Sequence, residues 1–325
     1  MLKIGRLNLG SSFVLAPMAG ISDLSFRLLN RKFGCGLAFV EMINCRSVSH
    51  KSKRTQKMLS SDDSDRPLGV QLLGCEEEYV KKALDVVARY KFDILDFNAA
   101  CPAKKVVRRQ EGASLMRDPK KLNKILKIIA ARSKVPVTVK IRSGWDSHSE
   151  NAKEVALYCQ DAGVCGLFMH GRTRMQGYSG AVDYRLISEV KKSLDIPVIA
   201  SGDILSPQLA QKMFDETGCD AVLIARGALG NPWIFGQIER FLKDKVLIKK
   251  PAPEQIAEVM LRHLDMCIDF YGEKNGVIIF RKFFSWYTKG FRKIRPQREL
   301  ISRAKTKFEM HEAIKKSVSL QGTSR

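Results

Sequence analysis

No Cys-x-x-Cys pair occurs in this sequence. Its eight cysteines (Cys35, Cys45, Cys75, Cys101, Cys159, Cys165, Cys219 and Cys267) stand singly, which argues against zinc and cluster sites. No apolar run approaches the ~18 residues that a bilayer-spanning helix needs. The opening MLKIGRLNLGSS lacks the charged, apolar, small-residue order of a secretory signal. The expectation is a cytoplasmic protein whose thiols are mostly reduced core side chains, with no membrane and no stable protein partner implied. No Gly-x-Gly-x-x-Gly follows the first strand-like run, which counts against a Rossmann domain. Acidic residues are few, 34 against 56 Lys and Arg, for a formal charge of +22. A field of that sign attracts polyanions, and nucleic acid is the leading candidate.

What is present is an alternation. Short apolar runs at 13–18, 37–42, 69–74, 93–98, 135–141, 166–171, 196–202 and 220–225 are separated by amphipathic stretches. Helix ends are legible between them. Asp23 can cap a helix that Gly34 stops, Asp118-Pro119 opens one with Leu122, Ile125, Leu126 and Ile129 on one stripe, and Ser206-Pro207 opens another that ends near Gly218. Eight strand-helix units predict an α/β fold, a (β/α)8 TIM barrel over residues 1–245. From 246 to 325 only helical patterns remain, after the linker-like KDKVLIKKPAPEQ, and a small all-helical domain is predicted there. That segment holds 17 Lys and Arg against 8 acidic residues, so its charge density is about twice that of the rest. Phe283, Phe284, Trp286 and Tyr287 are expected in its core, and the tip KKSVSLQGTSR is expected to be disordered.

In such a barrel the chemistry sits at the C-terminal ends of the strands. Read in order, those ends are Pro17-Met18-Ala19, Glu41, Gln71, Asn98 with Cys101, Lys140 with Arg142, His170 with Arg172, Ser201-Gly202-Asp203, and Ala225-Arg226-Gly227. Seven polar tips converging on one mouth predict a binding site. The glycines of the last two tips let backbone N–H groups approach a ligand closely, and Arg226 could pair with phosphate oxygens, so a phosphate-bearing cofactor is expected. Lys140 ends an otherwise apolar strand and could stabilise negative charge on a cofactor ring. In DFNAACPAKKV, one cysteine follows a strand end directly, between Ala100 and Pro102.

These residues resemble the tRNA-dihydrouridine synthases, especially the bacterial B-type branch. The likeness runs through LAPMAGISDLSFR, VQLLG, DFNAACPAKKV, VTVKIRSGW, HGRTRMQGYSG, SGDI and LIARGALGNPWIF, and resumes at YGEKNG and RKFFSWYTKGF. It implies an FMN enzyme that reduces the C5–C6 bond of uridine in tRNA, with NADPH as a transient reductant. Pro17, Met18 and Ala19 would line the flavin. Gln71 and Lys140 would bond its ring edge. His170, Ser201, Gly202, Asp203, Ala225 and Arg226 would hold its phosphate arm. Cys101 would give the proton to C5, as a thiol that is mostly protonated at neutral pH can, and Asn98 would lie near the uracil. Lys104, Lys105, Arg108 and Arg109 would meet RNA phosphates, and Arg142, Arg172 and Arg174 the flipped nucleotide. Arg281, Lys282, Lys289, Arg292, Lys293 and Arg295 would supply further phosphate contacts. Three positions depart from the family's usual residues: Ala100 and Ala225 replace glycine, and Ser201 replaces asparagine. Two other readings are an FMN barrel acting on a free pyrimidine, like the dihydroorotate dehydrogenases, and a catalytically silent RNA-binding barrel.

Overall fold

A computed structural model describes residues 2–49 and 53–322. It opens with an antiparallel hairpin of β1 (Leu2–Ile4) and β2 (Leu7–Leu9). The later strands are parallel: β3 (Phe13–Leu15), β4 (Leu37–Phe39), the two-residue β5 (Ile43–Asn44), β6 (Leu68–Leu73), β7 (Ile94–Asn98), β8 (Val137–Arg142), β9 (Gly166–His170), β10 (Val198–Ser201) and β11 (Ala221–Ile224). Pairing runs β3–β4–β6–β7–β8–β9–β10–β11, and β11 pairs back onto β3, so eight strands close a barrel. β5 extends β6 at its edge. Each of the eight predicted runs contributes one barrel strand.

The strands read as continuous apolar runs because both of their faces are buried. Outward side chains pack under helices whose starts follow the predicted caps. The carboxylate of Asp23 accepts from Phe26 N, Asp118 from Lys121 N, and the Ser206 hydroxyl from Leu209 N. Inward side chains form a separate core of Val14, Leu37, Phe39, Ile94, Phe168, Ile199 and Leu223. Leu2, Ile4 and Leu9 of the hairpin join that inner core at the strands' N-terminal ends, beside Ile94, Gly166 and Ala221. The hairpin therefore plugs the bottom of the barrel. Burying Ile4 and Leu9 contributes about 1.5–3 kcal/mol each.

After the barrel helix Ile234–Asp244 come four more helices: Pro253–Tyr271, Glu273–Tyr287, Arg295–Arg303 and Lys307–Gly322. The first two pack on the barrel helix Leu24–Arg31, where the rings of Phe26 and Phe283 stack 5.5 Å apart and Tyr271 donates to Asp23 at 3.1 Å. Phe283, Phe284 and Tyr287 are buried and Trp286 is half-buried, as their sequence pattern predicts. Gly230 (φ +66°) lets the barrel loop lie on this layer, since a Cβ there would sit 2.4 Å from the Trp286 carbonyl carbon. The expected disorder of the tip is corrected over 315–322. Those residues continue the last helix, and Ser317 is buried with its hydroxyl donating to Ala313 O at 2.6 Å. Residues 323–325 lie outside the described ones. Among the described residues, no helix is long and apolar enough to cross a membrane.

Candidate active site

A cavity of about 450 Å³ opens at the C-terminal ends of the barrel strands. Its size lies in the usual range for small-molecule sites. Pro17, Met18 and Ala19 line it beyond β3, Gln71 on β6, Asn98 and Cys101 at β7, Lys140 and Arg142 on β8, and His170 on β9. Ser201, Gly202 and Asp203 after β10, and Ala225 and Arg226 after β11, complete the ring. Lys104, Lys105, Arg172, Arg174, Arg281 and Lys282 do not line it.

Cys101 is held by its backbone rather than by its sulfur. Its N–H and that of Ala100 both donate to Asn98 Oδ1, at 2.8 and 3.0 Å. Asn98 Nδ2 in turn donates to Gln71 Oε1 at 2.8 Å. The Cys101 carbonyl accepts from Ala113 N at 3.2 Å. Gly112 (φ +61°) makes that approach possible, because a Cβ there would lie 2.7 Å from the Cys101 oxygen. Arg142 closes the loop from the other side. Its Nε donates to Ala100 O at 2.8 Å, and its Nη1 to Thr173 O and Gly177 O at 3.0 and 2.9 Å. Cys101 is partly exposed to the cavity, whereas Cys35, Cys45, Cys159, Cys219 and Cys267 are buried core thiols.

Burial sets the charge of the groups on the cavity floor. Burial, then the neighbouring Arg142, lowers Lys140 to about 8, against the pull of Asp96 and Cys101. Burial, then Lys140, Arg142, Arg172 and Arg226, lowers His170 to about 2, so its ring is neutral at any ordinary pH. His170 Nδ1 lies 3.3 Å from Ser201 Oγ, and its Nε2 is buried with no hydrogen-bond partner among the described residues. Asp203 is held below the usual carboxylate range by hydrogen bonding to Arg172, with Arg226 also paired to it.

Several residues expected to contact RNA have partners within the protein. Arg172 is buried and bonded to Asp203 and Gly180 O, because Asp203 emerges beside it from the next strand. Arg281 donates from Nε and Nη2 to Ala304 O, at 3.1 and 2.6 Å, which ties one helix of the C-terminal layer to the next. Lys282 Nζ donates to Gly20 O, while Gly20 N donates to Glu41, so the loop after β3 is clamped from both sides. Arg142 lines the cavity but keeps its guanidinium for loop carbonyls. By contrast Lys104 and Lys105 are exposed on the short helix just beyond Cys101. Arg174 stacks 4.8 Å from the Trp145 ring, as does Arg117.

Residues 14–321 match the family described as "Dihydrouridine synthase (Dus)". The chain belongs to the dihydrouridine synthase family. It is 41% identical over 293 residues, 89% of each chain, to a "Probable tRNA-dihydrouridine synthase" of Rickettsia bellii. It is 38% identical over 309 residues, 94% of this chain and 92% of the relative, to "tRNA-dihydrouridine synthase B" of Xanthomonas axonopodis pv. citri. Relatives of that name place it in the bacterial B-type branch, and it is an enzyme of the dihydrouridine synthase type. An old yellow enzyme homologue from Zymomonas mobilis shares the fold, with a TM-score of 0.53 at 15% identity over 78% of this chain and 94% of that one. In this dihydrouridine synthase the sequence reading missed Met42, Leu205, Leu229 and Tyr178 as lining residues. Tyr178 lies between Arg142 and Arg226, 5.6 and 5.2 Å from their guanidinium carbons. A lone aromatic in the polar stretch GRTRMQGYSG was the available signal.

Proposed function

We propose that this enzyme reduces the C5–C6 bond of particular uridines in tRNA, with FMN as its bound cofactor and NADPH as the transient electron donor. The observation that carries the reading is a single cavity lined by Cys101 together with Lys140, His170 and the glycine-bearing tips of β10 and β11. The donor set fits FMN. His170 Nε2 lacks a partner beside Ser201 and Arg226, where a phosphate or hydroxyl oxygen would satisfy it. Lys140, still cationic at neutral pH, stands where a ring edge would carry negative charge. Met18, Ala19 and Leu229 add apolar wall.

Reduced FMN, when bound, supplies the hydride that adds to uracil C6. The chain's own residues handle the rest. Addition at C6 leaves enolate-like charge on the uracil, and C5 must gain a proton. The Cys101 thiol gives it: the S–H bond breaks as C5–H forms, and the thiolate is reprotonated from water. Asn98 fixes the loop so that the sulfur meets one face of the base. The nucleotide must leave its stack to enter, which costs a few kcal/mol. Exposed Lys104 and Lys105 beside the mouth, and Lys289 and Lys293 on the C-terminal layer, contact the phosphates that offset this cost. A free pyrimidine would leave those lysines without a role.

The test is Cys101→Ala. The variant should bind flavin and accept electrons from NADPH as before, yet form dihydrouridine in tRNA about 10²- to 10⁴-fold more slowly. A full rate would remove the proton-donor role.

A further inference from the structure

Asp96 sits in β7 two residues before Asn98, so both side chains point into the barrel. The register sets Asp96 opposite Gln71 of β6 and Thr138 of β8. The residue is buried, yet it does not line the cavity. Its oxygens accept from an amide and a hydroxyl, not from a cation: Gln71 Nε2 at 2.7 Å and Thr138 Oγ1 at 2.8 Å. Lys140 on the next strand attracts this carboxylate without hydrogen-bonding to it, so its burial under the site asks for a reason.

Hydrogen-bond polarity supplies one. The N–H groups of Ala100 and Cys101 can only donate, so Asn98 must turn Oδ1 toward them. Its Nδ2 then faces Gln71, which must answer with Oε1. Gln71 Nε2 is thereby directed at Asp96, and the chain needs an acceptor there. Flipping either amide alone sets donor against donor and oxygen against oxygen. Flipping both sets Asn98 Nδ2 against the two backbone N–H groups and Gln71 Oε1 against the carboxylate. The backbone N–H groups thus select one arrangement, and an acceptor at position 96 leaves no donor of that chain unpaired.

We propose that Asp96 is a positioning residue, which anchors Gln71 and Asn98 in that arrangement by accepting from the end of their chain, and through them holds the backbone of Cys101. Its consequence for catalysis rests on the proton-donor reading of Cys101; the orientation itself does not. Burial raises the Asp96 carboxyl to about 6, so at pH 7.5 it is still mainly the acceptor-only carboxylate.

Asp96→Leu removes the acceptor while keeping the branched shape in a larger side chain, and Asp96→Asn keeps one oxygen for Gln71 while its amide donates to Thr138. In flavin-free protein, Asp96→Leu should speed hydrogen exchange at residues 99–101 by about tenfold or more, with β9 and β10 unchanged. In the loaded enzyme its kcat should fall about tenfold to a hundredfold at unchanged KM for tRNA. Asp96→Asn should match the parent in both measurements. Unchanged exchange in Asp96→Leu overturns the proposal, and so does an Asp96→Asn variant as impaired as Asp96→Leu. Faster exchange with an unchanged kcat leaves the positioning intact and sinks the proton-donor reading of Cys101. If Asp96→Leu does not fold, the smaller Asp96→Val carries the same expectations, and unaltered exchange in it overturns the proposal equally.

Discussion

His263 lies at the centre of the C-terminal layer, fully buried among Phe26, Phe280, Phe283 and Tyr287. Burial lowers it to about 4, and His170 in the cavity is lower still. Both folded values lie beneath the ordinary histidine value near 6.5, so below that pH the unfolded chain binds more protons. Stability therefore falls as the solution is acidified from about 6.5, by about 1.4 kcal/mol per pH unit for each such histidine. In His263→Gln the dependence of unfolding free energy on pH between 6 and 4.5 should weaken by about one proton. A denaturant series at each pH measures it, and an unaltered slope would remove His263 from the account. Residue by residue, the site was legible where a strand end fixed the side chain's place. Gln71, Asn98, Lys140 and His170 all lie on strands, and all line the cavity. The pairing of Arg172 with Asp203 was not legible, because Asp203 comes from another strand tip 31 positions on and a single sequence does not reveal that contact.

At the scale of elements, the eight barrel strands were legible because burial on both faces leaves an unbroken apolar run. The hairpin β1–β2 was not, since three-residue strands are too short to show a period. The final turns of Lys307–Gly322 were misread as well, because a polar tip hid the buried Ser317. The turn between helices Glu273–Tyr287 and Arg295–Arg303 is the C-terminal layer's most basic connection. It exposes Lys289 and Lys293, while Arg281 and Lys282 on the preceding helix are tied to carbonyls. RNA binding by this layer should therefore depend on the turn. Lys289→Glu with Lys293→Glu should weaken tRNA binding and flatten log K against log salt by about 0.7–0.9 for each phosphate no longer neutralised. The corresponding Arg281→Lys change should instead loosen the helix packing and leave the salt slope unaltered. Filter binding across a salt series separates the two, and equal slopes for the paired-glutamate variant and the parent would contradict this use of the turn.

The molecule as a whole is a barrel stoppered at one end. Ile4 and Leu9 fill that end among Ile94, Phe168 and Ile199. The cavity lies at the other end, with Cys101 and Tyr178 in its lining. On the proposed function, a nicotinamide and a uridine still attached to its tRNA would both come to this one cavity. They would take turns there, with the bound flavin storing the electrons between visits. Double-reciprocal plots against NADPH at several tRNA concentrations should be parallel, and surplus tRNA should inhibit by keeping the nicotinamide outside. Lines that intersect would mean that both visitors fit at once. On that reading, a plug of two short strands at the bottom goes with an order of events at the top.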